Sequence, residues 1–528
     1  MQYFALRIRA AKNALRQGGL AALLVLSAQP IHQATAKSLL YPVEVDAITE
    51  ERLVFFEQDG ALNDSARAFE SIVARAGDIG LNSQDYAPWL SSQATEAQPQ
   101  ELDTLVRDRI MVDRFIRFAM DSKYGKANPE RPKKLPASLR EGLKSALLEQ
   151  NIRPFFGELA PQQEGYLKLQ AAYKDALKKE RRYEASLAQV GIIKPGENDK
   201  AVASYKAMLA TLGYYSDNPT ADGKADLAIK DRETLFDAAL VEAVKAFQRE
   251  NALKDDGAIG PATKRLLLAE LEGNLDILRV NLERWRWLPE RYGSDYILVN
   301  IANFDVNVYA DSEPVLSMKA IVGKNYRKTP LFTGQMSYFV VNPSWYIPPT
   351  IARKDMLPKL QKDPGFLAKS NMEIFSGSQA TGAPLNPYSV DWKAMDGKRF
   401  PYLIKQNPGP ENALGTVKFM FPNEHNVYLH DTNKRELFNQ SQRALSSGCI
   451  RVEKPQELIE HLRARYTSIS ASAMSQQLAS GAERSFSLKQ KIPVHLQYWT
   501  AWVDKSGRVV YRDDIYGRDQ ELIDALAI

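Results

Sequence analysis

The apolar periodicity of this chain changes once, near residue 295. That change commits it to a helical part followed by a strand-rich part. Before the change, apolar residues recur at helical spacing: Ala66, Phe69, Ile72 and Val73, then the stretches 109–120 and 166–177. A more compact helical unit follows over 196–275. There Val202, Tyr205, Met208, Leu209 and Leu212 form one face, and Leu240, Val244 and Phe247 another. Asp256-Gly257 makes a turn, and Gly260-Pro261 opens a third helix, proline being suited to a first helical turn. After the change, Phe304, Val306 and Val308 alternate with Asp305, Asn307 and Tyr309. Further β-rich stretches lie at 296–301, 315–322, 338–341, 417–421, 427–429 and 494–503, with a helix expected over 455–465. At 528 residues the chain exceeds what one core supports, so several domains are expected.

The first 16 residues carry Arg7, Arg9, Lys12 and Arg16 and no acid. An apolar run from Leu20 to Leu26 and a small-residue site at Ala34-Thr35-Ala36 follow, the order of a secretory signal peptide cleaved after Ala36. An uncleaved inner-membrane anchor is the alternative. No later stretch is long and apolar enough for a membrane span. Removing the leader takes four positive charges from a formal net of +5. The remainder is near neutral, with no basic tail to favour a nucleic acid partner. No phosphate loop and no zinc-ligand spacing occurs, so neither cofactor nor metal is expected.

Cys449 is the single cysteine, so it has no intramolecular disulfide partner. It stands in Ser446-Ser447-Gly448-Cys449-Ile450-Arg451, and His430, in Tyr428-Leu429-His430-Asp431, lies upstream with 15 residues between His430 and Ser446. A lone thiol after a glycine, with a histidine upstream, reads as a nucleophile with its base; the bland alternative is a buried structural thiol. Tyr428 and His430 share one face of a strand, so Tyr428 either enters the pocket or walls it. Arg451 either holds a substrate carboxylate or ties the loop to the sheet. Ser446 is expected to hydrogen-bond within the loop. Gly448 permits a tight turn that would aim the Gly448 and Cys449 amides at an oxyanion. Between Pro343 and Leu414 a stretch with ten prolines interrupts the β region, as a lid or as an ornament.

His430 with Ser446–Arg451 resembles the L,D-transpeptidase (YkuD) catalytic domain, whose pattern is a histidine followed at a similar distance by Ser/Thr-His-Gly-Cys-hydrophobic-Asn/Arg. Ser447 stands where the commoner pattern has histidine, as in the large YcbB-type members. Ile321-Val322-Gly323-Lys324, Arg327-Lys328-Thr329-Pro330, Val340–Trp345 and Asp514-Ile515-Tyr516-Gly517 agree with that subgroup. The stretches 240–248 and 256–263 resemble the peptidoglycan-binding-domain-1 repeat. Together these imply an α+β multidomain chain. After the 1–36 leader come a helical scaffold (37–195), a three-helix peptidoglycan-binding module (196–275) and a connector (276–294). A mainly β catalytic domain (295–475) with a capping insertion (343–414) follows. The last segment, 476–528, holds C-terminal strands completing the scaffold or the catalytic domain. The resemblance implies a periplasmic enzyme without cofactor. Its Cys449 would form a thioester with a donor tetrapeptide stem and pass it to a diamino-acid amine of an acceptor stem, a 3→3 cross-link. It implies that the Asp431 carbonyl orients His430, that Tyr428, Arg451, Ser446 and Ser447 line the substrate site, and that carbapenems acylate the cysteine. The implied partners are peptidoglycan stems and glycan, with other wall-synthesis enzymes. An L,D-carboxypeptidase, a lipoprotein-anchoring transpeptidase and a non-catalytic wall-binding protein remain the competing readings.

Overall fold

A computed structural model describes residues 41–50, 52–87, 103–178, 187, 190–216, 233–290, 292–395 and 397–527. The expected leader, 1–36, lies outside them. The chain divides into two compact units. One comprises residues up to Lys174 with Leu282–Leu288 and the last residues from Asp524; the other comprises Asp175–Asn281 and Pro289–Ile523.

The first unit is helical and is built on aromatic packing. Phe115, from the helix Thr104–Tyr124, meets Phe55, Phe69 and Phe156 at ring-centroid distances of 5.3, 5.2 and 5.3 Å. Edge-on rings at this spacing add to the gain from burial. The same helix buries Asp108, whose carboxylate accepts the amides of Val54, Phe55 and Phe56 and fixes the non-helical chain beside it. Leu282–Leu288 returns to this unit. Its buried Glu283 accepts the Ala127 amide at 2.7 Å and pairs with Arg286 at 3.3 Å.

In the second unit, the helices Ala201–Thr211, Ala238–Glu250 and Pro261–Glu272 form the expected three-helix module. Its recognisable residues turn out to close a loop. The Gln248 amide donates to Asp256, the Ala258 carbonyl and Thr263, and accepts the Gly257 amide at 2.9 Å. Gly257 sits at φ +74°, so a glycine is required at that turn.

The β part begins with β1 (Tyr296–Asn300), β2 (Asp305–Ala310), β3 (Glu313–Gly323) and β4 (Phe332–Val341). Alternation along β2 buries Val306, Val308 and Ala310, and Asp311 and Ser312, both at positive φ, turn the chain into β3. The chain then leaves through β5 (Trp345–Tyr346), β6 (Met372–Ser376) and β7 (Tyr402–Gln406), which form a separate sheet in the order β5-β7-β6. It returns with β8 (Val417–Met420), β9 (Leu429–His430), β10 (Ala444–Ser446), β11 (Ile450–Val452) and β12 (Arg484–Gln497). The main sheet runs β10-β3-β11-β9-β8-β4-β12-β1-β2, and pairing of β2 with β3 closes it on itself. Closure leaves β9 and β11 side by side and parallel, with Leu429 opposite Ile450 and His430 opposite Arg451. The helix Pro455–Tyr466 packs Leu458, Ile459 and Leu462 into the core of this sheet.

The stretch between Pro343 and Leu414 has a hydrophobic core of its own. Ile347, Met356, Leu357, Leu360, Ile374, Trp392 and Ile404 are buried together there. It is therefore a small subdomain rather than a proline-stiffened flap. The C-terminal strand begins at Arg484, ten residues before the expected 494, and β12 lies between β4 and β1 in the main sheet.

Candidate active site

Cys449 follows the short strand β10 and a tight turn, and immediately precedes β11. The turn is held from within by Ser446, whose buried hydroxyl accepts the Gly448 amide at 3.1 Å and donates to the Cys449 carbonyl at 2.6 Å. It is held from beneath by Thr329, which is fully buried. The Thr329 hydroxyl donates to the Gly448 carbonyl at 2.8 Å and accepts the Gly323 amide at 2.9 Å. Tyr516 completes the support by donating to the Gly323 carbonyl at 2.5 Å and accepting the Thr329 amide at 3.2 Å. Gly323 must be glycine, because a Cβ there would collide with the Arg327 carbonyl and come within 3.1 Å of Gly448 Cα.

This arrangement corrects one expectation. The Gly448 amide is already spent on Ser446, so it cannot also face an oxyanion. Gly448 contributes its backbone angle instead, φ +120°, which side-chain-bearing residues rarely adopt. Among the described residues nothing accepts the Cys449 amide, which leaves it as the local donor.

His430 is 5% exposed, and its Nδ1 lies 2.6 Å from the Asp431 carbonyl oxygen. A carbonyl can only accept, so Nδ1 carries the proton and Nε2 carries the lone pair. Burial, with the Arg451 charge added, lowers the imidazole from the ordinary 6.5 to about 3. The Asp431 side chain serves elsewhere: it accepts the Thr416 amide and hydroxyl, both at 2.9 Å, and pairs with Arg435 at 2.7 Å. It thereby fastens the chain returning from the 343–414 subdomain to the strand that carries His430.

The Cys449 thiol is pushed up from 9.0 to about 11 by burial, against the opposing pull of the Tyr428 hydrogen bonds and the Arg451 charge. Its Sγ also lies 3.7 Å from the Asn426 carbonyl. Thiol and imidazole thus both rest uncharged, the form a low-dielectric pocket favours. The Tyr428 ring lies 5.6 Å from that of His430, and burial, with Cys449 beside it, raises the phenol well above its ordinary range. Trp345, from the 343–414 subdomain, lies close enough to Tyr428 to oppose part of that rise. Trp345 therefore lies beside Tyr428, where its sequence position alone allows either packing at the base of the insertion or a substrate platform. Burial lowers the Arg451 guanidinium, and its buried Nε has no acceptor among the described residues. Ser447 turns the other way and accepts from Arg327 at 2.8 Å.

The other histidines lie apart. His425 is exposed against Phe332, and His461 is half-buried on its helix. His495 lies near the end of β12 and bonds Thr333 at 2.9 Å. No group of three or more potential metal ligands occurs among the described residues.

His430 and His495 allow a pH prediction. His495 is lowered by burial from 6.5 to about 4. Each folded value lies below the unfolded one, so the unfolded chain binds more protons between them. The stability contributed by the two neutral rings is complete above about pH 6.5 and is lost as pH falls through 4 and then 3. Thermal midpoints should therefore drop between pH 6.5 and 4, and His495→Gln should flatten that drop. An unchanged slope in the variant would exclude His495 as a contributor.

Three segments of the chain match models of known families. Residues 294–470 match the model of the L,D-transpeptidase catalytic domain, YkuD. Residues 49–172 match a scaffold domain, and residues 198–267 a "Putative peptidoglycan binding domain". A "Putative L,D-transpeptidase" of Haemophilus influenzae is 38% identical over 247 residues, which is 46% of this chain and 48% of that protein. The match thus spans about half the length of this curated relative. Among solved structures, an L,D-transpeptidase from Mycobacterium smegmatis is 14% identical, covering 39% of this chain and 58% of its own at a TM-score of 0.17. One from Stackebrandtia nassauensis is 11% identical, covering 57% and 93% at a TM-score of 0.20. Scores this low add nothing to the fold argument.

Proposed function

From the premise that this chain carries an L,D-transpeptidase catalytic domain and a peptidoglycan-binding domain, we propose that it forms 3→3 cross-links between peptidoglycan stem peptides outside the cytoplasmic membrane. The observation that carries the reading is the pairing of β9 with β11, which sets His430 opposite Arg451, two residues past Cys449, with Nδ1 fixed on the Asp431 carbonyl. A histidine so tethered presents Nε2 as a base, and its lowered pKa makes it a prompt proton donor afterwards. Cys449 Sγ attacks the carbonyl that links the diamino acid to D-Ala in a donor tetrapeptide, and its proton passes to His430. The oxyanion forms next to the Cys449 amide. His430 returns the proton to the departing D-Ala amine, leaving a thioester. The side-chain amine of a second stem attacks that thioester and loses its proton to His430. The Cys449 sulfur leaves and is reprotonated.

Tyr428 donates to the sulfur whenever it is negative. Arg451, a desolvated cation for which no salt bridge is found among the described residues, is the group to hold a stem carboxylate. The module at 198–267 would keep the enzyme on the polymer. No helix among the described residues is long and apolar enough to cross a membrane.

Incubating the protein with purified disaccharide-tetrapeptide and reading the products by mass spectrometry tests this. Cross-linked dimer with released D-Ala is expected. Tripeptide alone would make the chain a carboxypeptidase, and unchanged substrate would overturn the enzymatic reading.

A further inference from the structure

Arg327 lies on the loop between β3 and β4 and joins two parts of the molecule that are distant in sequence. Its Nη1 lies 2.5 Å from Asp355 Oδ2 and 2.8 Å from Ser447 Oγ, and its Nη2 lies 3.1 Å from Asp355 Oδ1. Ser447 is two residues from the Cys449 nucleophile. Asp355 lies on a π-helical turn, Ala352–Met356, inside the 343–414 subdomain. Such turns are rare and gather at functional sites. The loop of Arg327 runs close to Gly323, where an added Cβ would collide with the Arg327 carbonyl and come within 3.1 Å of Gly448 Cα. The guanidinium end holds both partners through a two-pronged carboxylate pair and one hydroxyl.

We infer that Arg327 is a positioning residue that latches the 343–414 subdomain to the nucleophile turn through Asp355 and Ser447. Arg327 touches neither substrate nor the sulfur. It fixes how the subdomain sits over Cys449 while the thioester waits for an amine. The Asp355 side chain is 40% exposed and that of Arg327 14%, so the pair can part and re-form as stems enter and leave. Trp345, from the same subdomain, lies beside Tyr428, whose ring is 5.6 Å from that of His430, so an opened latch would reach the site from two directions. The arrangement also explains why serine suits position 447. A hydroxyl is short enough to accept from Arg327 while the turn keeps its Ser446 staple.

The inference rests on the transpeptidase reading for its kinetic readout but not for its structural one. With tetrapeptide donor and acceptor, Asp355→Asn and Arg327→Lys should each raise the ratio of hydrolysed to cross-linked product by roughly tenfold, the scale of one charge-assisted hydrogen bond. The exchanged pair, Arg327→Glu with Asp355→Arg, should bring the ratio back toward that of the parent. Independently of any activity, Asp355→Asn should speed amide hydrogen exchange in 349–362 and in 446–449 together. Faster exchange confined to 349–362, or a product ratio unchanged in both single variants, would overturn the latch. A parent protein that makes no product would refute the proposed function, and the exchange experiment would still decide the latch.

Discussion

Cys449→Ala should abolish both cross-linking and covalent labelling by carbapenems, with the fold intact. Cys449 is the sole thiol of the chain, so no second cysteine can substitute for it. The turn around it is held by Ser446, Thr329 and Tyr516 without help from the sulfur, so removing Sγ leaves the support in place. Intact-protein mass spectrometry after carbapenem treatment, together with thermal unfolding, checks both halves. An alanine variant that still cross-linked at a substantial rate would end the mechanism. Serine at 449 should also be close to inactive. Its hydroxyl is much less acidic than a thiol, and an imidazole lowered to about 3 is a weak base for it.

The next largest effect is expected for His430→Ala. Loss of a general acid–base group typically costs about 10²–10⁴ in rate. The pH dependence is more telling than the magnitude. With the thiol held near 11, the thiolate is scarce at neutral pH, and attack depends on proton transfer to Nε2. Without His430, acylation should climb steadily with pH toward 11 instead of levelling off. A variant whose acylation follows the parent's pH profile would show that His430 is not the base.

What could be read from sequence divides according to chain separation. The Cys449–His430 pairing was legible because both residues lie in one local stretch and the thiol has no competitor. The parallel pairing of β9 with β11 is what turns that spacing into proximity. The support beneath the turn was not legible. Thr329 and Tyr516 are 187 positions apart, and each looks like an ordinary core residue alone. Gly448 was assigned an oxyanion role because its amide is adjacent to the nucleophile, and sequence cannot reveal that Ser446 captures that amide.

The 343–414 subdomain was read from its prolines, while its core residues, such as Ile374, Trp392 and Ile404, are too scattered to show a period. The first half of β12 was missed for a related reason. Residues 484–491 are largely exposed and polar; 484–487 pair with β4, and Phe486 and Leu488 alone are too few to announce a strand. Module architecture was easier, since three amphipathic helices around a Gly257 turn carry their own signals.

The central claim is that Cys449 carries the donor stem as a thioester. It is tested most directly by quenching a reaction with tetrapeptide donor in acid and mapping the adduct by peptide mass spectrometry. The peptide containing Cys449 should gain the mass of the donor less D-Ala, and the gain should vanish when a diamino acceptor is added before the quench. Cross-linked product without that adduct, or an adduct on any other residue, would contradict it.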